Sequence, residues 1–110
     1  MRAVLTIDLK DDQETVGAYR FHHERIWPEV AESLRRAGIV SMEIYLLGRR
    51  LVMIVETDGR DVMAAFAEHH ASTNPQVTGW EALMKAMQTP VADAAPGEWW
   101  ARMTRVFELP

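Results

Sequence analysis

The sequence predicts an α+β domain in the order βαββαβ, an antiparallel sheet carrying its helices on one face. Three observations carry that prediction. Apolar residues alternate near both ends of the chain and in its centre, the period of a strand with one buried face. Between these stretches the apolar spacing changes to three and four, the period of a helix. Glycine and proline stand at the junctions, where turns and caps need them.

The first strand is expected over residues 3 to 9, where Ala3, Leu5, Ile7 and Leu9 alternate with Val4, Thr6 and Asp8. Its opening, "MRAVLTIDLK", is broken by Thr6 and Asp8 and leads to no small-residue cleavage site, so it reads as a strand and not as a signal peptide. Residues 11 to 38, "DDQETVGAYRFHHERIWPEVAESLRRAG", place Val16, Tyr19, His23 and Ile26, then Val30, Leu34 and Ala37, at helical intervals. Asp11 or Asp12 is expected to cap the start and Gly38 the end. Pro28 divides this helix, because it cannot donate to the preceding turn and pushes Trp27 out of helical geometry. It fits best as the first residue of a second segment.

Residues 39 to 58, "IVSMEIYLLGRRLVMIVETD", read as a hairpin turning at Gly48. Helices are expected over residues 60 to 71 and 77 to 88, separated by the loop "STNP". After a second loop, "TPVADAAPG", the run "EWWARMTRVFEL" alternates as a last strand. This order is the ferredoxin-like split motif. Its open sheet face needs a cover, and a second copy of the sheet would supply one as a two-chain α/β barrel. A homodimer is therefore expected, with polar or aromatic residues of that face lining a cavity.

The 110 residues fit one domain spanning 1 to 110. A net charge of -4 with no basic block excludes a nucleic-acid partner, whose phosphates need clustered Lys and Arg. The absence of cysteine excludes disulfides and thiolate chemistry and points to the cytoplasm. No stretch approaches the ~18 apolar residues of a membrane span. Nor is there a glycine-rich phosphate loop or a trustworthy Ser-His-Asp order, so nucleotide cofactors are not expected.

Chemistry concentrates in "FHHERIWPEV". His22 and His23 lie near a helix carboxyl end, which favours a protonated imidazole and hence a general acid near neutral pH. Tyr19, one turn before His23, can point the same way. Trp27 and Glu29 crowd the same region. The four histidines form two adjacent pairs, and neighbours on a helix diverge by about 100°, so neither pair chelates a metal from one face. His69 and His70 read as surface residues at a helix end. Trp99 and Trp100, as strand neighbours, are expected on opposite sheet faces. Arg105 shares a face with Trp99, and Tyr45 shares one with Ser41 and Glu43.

With these residues in place, the sequence resembles the L-rhamnose mutarotase family and its L-fucose mutarotase-like branch. The resemblance rests on Tyr19, His23 and the run Ile26-Trp27-Pro28-Glu29, on Gly38, on Ile44-Tyr45-Leu46, on the Trp80 segment and on the closing Val106-Phe107-x-Leu109-Pro110. It implies a dimeric ferredoxin-like fold and interconversion of the α and β anomers of a 6-deoxyhexose, with neither cofactor nor metal. It also implies that His23, rather than His22, is the catalytic proton donor, that Tyr19 contacts the sugar and that Trp80 packs on it. Tyr45 and Trp27 are expected to line the pocket. This chain has Met42 where the rhamnose enzymes carry a sugar-contacting tyrosine, and Gly79-Trp80 where they carry a tryptophan pair. Its "PGEWW" segment is closer to the L-fucose type. Two other readings stay open from the residues alone: a cofactor-independent oxygenase on a similar barrel, and a sugar-binding module without catalysis.

Overall fold

The computed structural model describes residues 1–110. Its elements run β1 (Arg2–Leu9), α1 (Gln13–Glu24), α2 (Pro28–Arg36), β2 (Ile39–Leu47), β3 (Arg50–Thr57), α3 (Val62–His70), α4 (Pro75–Met87), β4 (Gln88–Thr89) and β5 (Ala101–Arg102). The sheet is antiparallel in the order β2-β3-β1-β4, and β5 joins β1 on the same side as β4. The mixed α+β architecture is the one the periodicities predict, and no helix is long and apolar enough to cross a membrane.

β1 lies inside the sheet because it has the apolar residues to be there. Ala3, Leu5, Ile7 and Leu9 are all buried on the helix side, opposite Val55, Met53 and Leu51 of β3. Each buried Leu, Ile, Val or Met side chain among these contributes roughly 1.5–3 kcal/mol when removed from water. Val4, Val52, Ile54, Tyr45 and Leu47 point to the other face by alternation, and that face has no covering layer within the chain: Tyr45 and Leu47 are exposed.

The helix boundaries follow the cap chemistry. Asp12 caps α1, its Oδ1 accepting from the Thr15 N–H at 2.6 Å. Pro28 occupies the first turn of α2, with Trp27 as the extended residue before it. Gly38 ends α2 with φ at 98°, a conformation in which a Cβ would be strained and would also meet the Asp58 and Arg60 side chains at 2.8 Å. α4 starts two residues earlier than the apolar pattern indicates. Asn74 caps it by accepting from the Gln76 N–H at 2.9 Å, and Pro75 fills its first position.

The last strand is shorter than the alternation predicts. Only Ala101 and Arg102 pair with β1, and Met103 makes one further bond to Val4 before the chain leaves the sheet. Trp99 and Trp100 therefore do not lie on opposite faces. Both precede β5 in a bend, half-buried, and both pack on the helix-side core. Arg105 sits in the exposed tail, paired with Glu108 and not aligned with Trp99.

Candidate active site

The interruption at Arg25 to Trp27 turns the chain between α1 and α2 and leaves a cleft of about 620 Å³ beside β2. Tyr19 and His23 line it from α1, Ile26 and Leu34 from the junction and α2, and Met42, Ile44 and Leu46 from β2. Arg20, Glu24, Arg35 and Ser41 supply polar groups at its walls. A mostly apolar cleft of this size with a few polar groups is the usual form of a small-molecule site.

Tyr19 and His23 meet as their spacing of four requires, with ring centroids 4.2 Å apart and stacked. His23 Nδ1 lies 2.8 Å from the Tyr19 carbonyl oxygen. A carbonyl only accepts, so Nδ1 carries the proton and, in the neutral ring, Nε2 is left as the proton-accepting atom. Burial lowers the pKa of His23 below 6.5, against the Tyr19 carbonyl, which raises it, while the charge of His22 lowers it further. The expectation of a protonated imidazole at the helix end is thus reversed: removal from water outweighs the helix carboxyl end. Burial likewise raises the Tyr19 hydroxyl, with a hydrogen bond from Gln88 opposing and the Glu81 charge reinforcing it. Tyr19 is a neutral hydrogen-bonding group across the working pH range.

The other expected residues divide. Trp80 is buried, with its ring edge-on to His23 at 5.3 Å and to Trp27 at 5.2 Å. It stands behind the imidazole with Trp27 behind it in turn, and neither tryptophan lines the cleft, contrary to the expectation for both. A Cβ at Gly79 would meet the Trp27 ring at 3.8 Å, an ordinary contact distance. Met42 does line the cleft. Tyr45 does not: it alternates away from Ile44 and Leu46 onto the open sheet face, where its hydroxyl donates to Glu43 at 3.1 Å. His22 does not line the cleft; its ring lies near those of Phe21, at 5.7 Å, and Trp80, at 6.4 Å.

Two polar clusters escape a reading of the sequence. Gln88 is buried at the end of α4 and accepts from Trp99 Nε1 at 2.8 Å, fixing the tryptophan bend behind Tyr19. The only sequence signal for it is a polar residue closing an apolar helical face. His69 is not a surface residue but 1 % exposed. Its Nδ1 meets Ser33 Oγ at 2.8 Å and its Nε2 meets Glu81 Oε1 at 2.7 Å, tying α2, α3 and α4 together. Burial pushes the Glu81 carboxyl up, but the hydrogen bonds and charges of His69 and His70 prevail and hold it at about 2. His70, on the exposed side of the same carboxylate, is raised by that partner.

Comparison with known proteins identifies the family and the fold. The family described as L-rhamnose mutarotase matches residues 2–109. The chain is 38% identical to an L-fucose mutarotase of Xanthomonas campestris pv. campestris over 98% of its own length and 87% of that protein's. In structure it is similar to an L-rhamnose mutarotase from Formosa agariphila, with a TM-score of 0.66 and 19% identity over 100% of this chain and 99% of that one. It is also similar to a dimeric ferredoxin-like protein from an uncultured marine organism, with a TM-score of 0.57 and 17% identity over 99% and 97% of the two chains. These last two likenesses bear on the fold, which is ferredoxin-like; the match along nearly the whole sequence establishes that the chain belongs to the L-rhamnose mutarotase family.

Proposed function

We propose that this protein is a sugar mutarotase that interconverts the α and β anomers of a 6-deoxyhexose, L-fucose or L-rhamnose, with His23 as its catalytic proton carrier. The observation that carries the assignment of His23 is its hydrogen bond to the Tyr19 carbonyl. That bond fixes the tautomer and leaves Nε2 as a base in a cleft of monosaccharide scale.

Ring opening needs the proton of the anomeric hydroxyl removed while the ring oxygen gains one. Nε2 of neutral His23 takes the first proton as the C1–O bond to the ring oxygen breaks and the exocyclic oxygen becomes an aldehyde carbonyl. Water at the open mouth of the cleft supplies the second, and the hydroxide it leaves recovers a proton from the ring hydroxyl when the ring closes. Rotation about C1–C2 presents the other carbonyl face, and closure reverses both transfers, with imidazolium now the acid. His23 is thus base and acid in turn, where the sequence alone assigned it the acid role. A positioned acid or base contributes typically ~10²- to 10⁴-fold. Because the uncatalysed exchange already proceeds, that factor is sufficient and neither a cofactor nor a metal is needed. Tyr19, a neutral donor, orients the sugar. Trp80 and Trp27 hold the imidazole from behind, and Tyr45 belongs to the open sheet face.

The identity with an L-fucose mutarotase and the Met42 wall favour the fucose configuration. The chain works as one unit over residues 1 to 110, and we propose a homodimer closed over the open sheet face, resident in the cytoplasm. The test is anomer exchange measured by NMR saturation transfer on a panel of 6-deoxy sugars. Acceleration with L-fucose or L-rhamnose is expected; sugar binding without acceleration would leave a binding module instead.

A further inference from the structure

Gln88 is buried and held from both its backbone and its side chain. The backbone pairs with Leu9 of β1, and the side-chain Oε1 lies 2.8 Å from Trp99 Nε1. An indole N–H only donates, so the amide oxygen faces Trp99 and the amide NH2 group is turned away from it. Lys85 Nζ stands over the Trp99 ring, 5.2 Å from its centroid, and fixes the indole further.

Tyr19 meets the other end of that amide. Burial raises the Tyr19 hydroxyl and the Glu81 charge adds to it, while the hydrogen bond from Gln88 opposes both. A bond that lowers a phenol stabilises its oxygen as an acceptor, so Gln88 is the donor. This is the polarity that Trp99 imposes. A phenol has one proton, and an oxygen that accepts from Gln88 keeps that proton for an acceptor elsewhere. Glu81, whose charge Tyr19 feels, is already engaged by His69 and His70. Tyr19 lines the cleft and stacks on His23 at 4.2 Å, which puts a bound sugar's hydroxyls among the remaining acceptors.

We infer that Gln88 is a positioning residue: locked by Trp99, it turns the Tyr19 hydroxyl proton toward the cleft, where it is donated to a hydroxyl of the sugar. This rests on the mutarotase reading and deepens it. Trp99 donates to Gln88, Gln88 to Tyr19 and Tyr19 to the sugar, a line of donors running one way in which each bond strengthens the next.

The test reverses that polarity with little change of volume. In Gln88→Glu the carboxylate accepts from Trp99 and from the Tyr19 hydroxyl alike, so the phenol proton turns inward and the sugar loses its donor. Saturation-transfer NMR over a range of L-fucose concentrations is expected to show KM raised about threefold to tenfold, the loss of one hydrogen bond, with kcat changed by less than about twofold. Trp99→Phe, which frees the amide to turn over and adds no charge, is expected to raise KM as well. A merely structural role would lower kcat through loss of active protein and leave KM alone. In a Tyr19→Phe background neither change should raise KM further, because the phenol they act through is gone. An unchanged KM in both variants, or equal effects with and without the Tyr19 hydroxyl, overturns the inference. If Gln88→Glu does not fold, Trp99→Phe in the two backgrounds decides. If the unmodified protein accelerates no sugar, the mutarotase reading fails and a measurement without ligand decides Gln88 separately. With isotope-labelled tyrosine observed at Cζ, the one of the two tyrosine resonances that disappears in Tyr19→Phe is followed. Its displacement in Gln88→Glu, or in Gln88→Met where the charged variant does not fold, upholds the contact, and a resonance that stays in place overturns it.

Discussion

Replacing His69 with alanine removes a side chain that is 1 % exposed and bonded at both nitrogens, to Ser33 at 2.8 Å and to Glu81 at 2.7 Å. The bond to the neutral serine contributes about 1 kcal/mol and the bond to the charged carboxylate about 1.5 kcal/mol, the low end of its range because Glu81 stays a third exposed. The vacated ring leaves a cavity among α2, α3 and α4 and strands Ser33, for roughly 1 kcal/mol more. The expected loss is about 3–4 kcal/mol, a large share of the ~5–15 kcal/mol that holds a domain together. Urea denaturation followed by tryptophan fluorescence, at one fixed protein concentration, measures it. His70→Ala is the control, since that ring is 56% exposed and its contact with Glu81 is 3.4 Å. Its loss should stay within about 1 kcal/mol. Equal midpoints for the two variants would refute the buried tie.

Two further outcomes follow from the same geometry. The exchange rate should fall on the acid side of a midpoint below 6.5 and hold through neutrality, because burial lowers the His23 pKa and the base works unprotonated; His22→Ala should move that limb to higher pH by removing a neighbouring charge, and a rate that rises on acidification would contradict the assignment. Gly38→Ala should destabilise by about 1–3 kcal/mol in the same denaturation assay, and more than Gly48→Ala, because both have positive φ but only at Gly38 would a Cβ meet other side chains.

How far the sequence discloses this molecule depends on the range of the interaction concerned. Pro28, Asp12 and Gly38 act on their own neighbours, so the broken helix and its caps are legible from spacing alone. Tyr19 and His23 are one helical turn apart, so their contact is legible too. The alternation of residues 98 to 109 is misleading because alternation alone does not secure pairing: β4 takes Asp8 and Leu9 of β1, which stops β5 before Ala101, and after Met103 bonds to Val4 the chain leaves the β1 edge. His69 is hidden for a similar reason. Nothing near it in sequence indicates that Ser33 and Glu81, on two other helices, will meet its ring. The charge state of His23 is missed because the helix end is local and visible, whereas the burial that outweighs it comes from Trp80 and the remainder of the core.

The most direct test compares His23→Ala with His22→Ala in saturation-transfer NMR of L-fucose, at equal protein concentration and neutral pH. If Nε2 of His23 carries the proton, anomer exchange in His23→Ala falls ~10²-fold or more toward the uncatalysed rate, while His22→Ala keeps most of its activity. Equal losses in the two variants, or full activity without His23, would contradict the assignment.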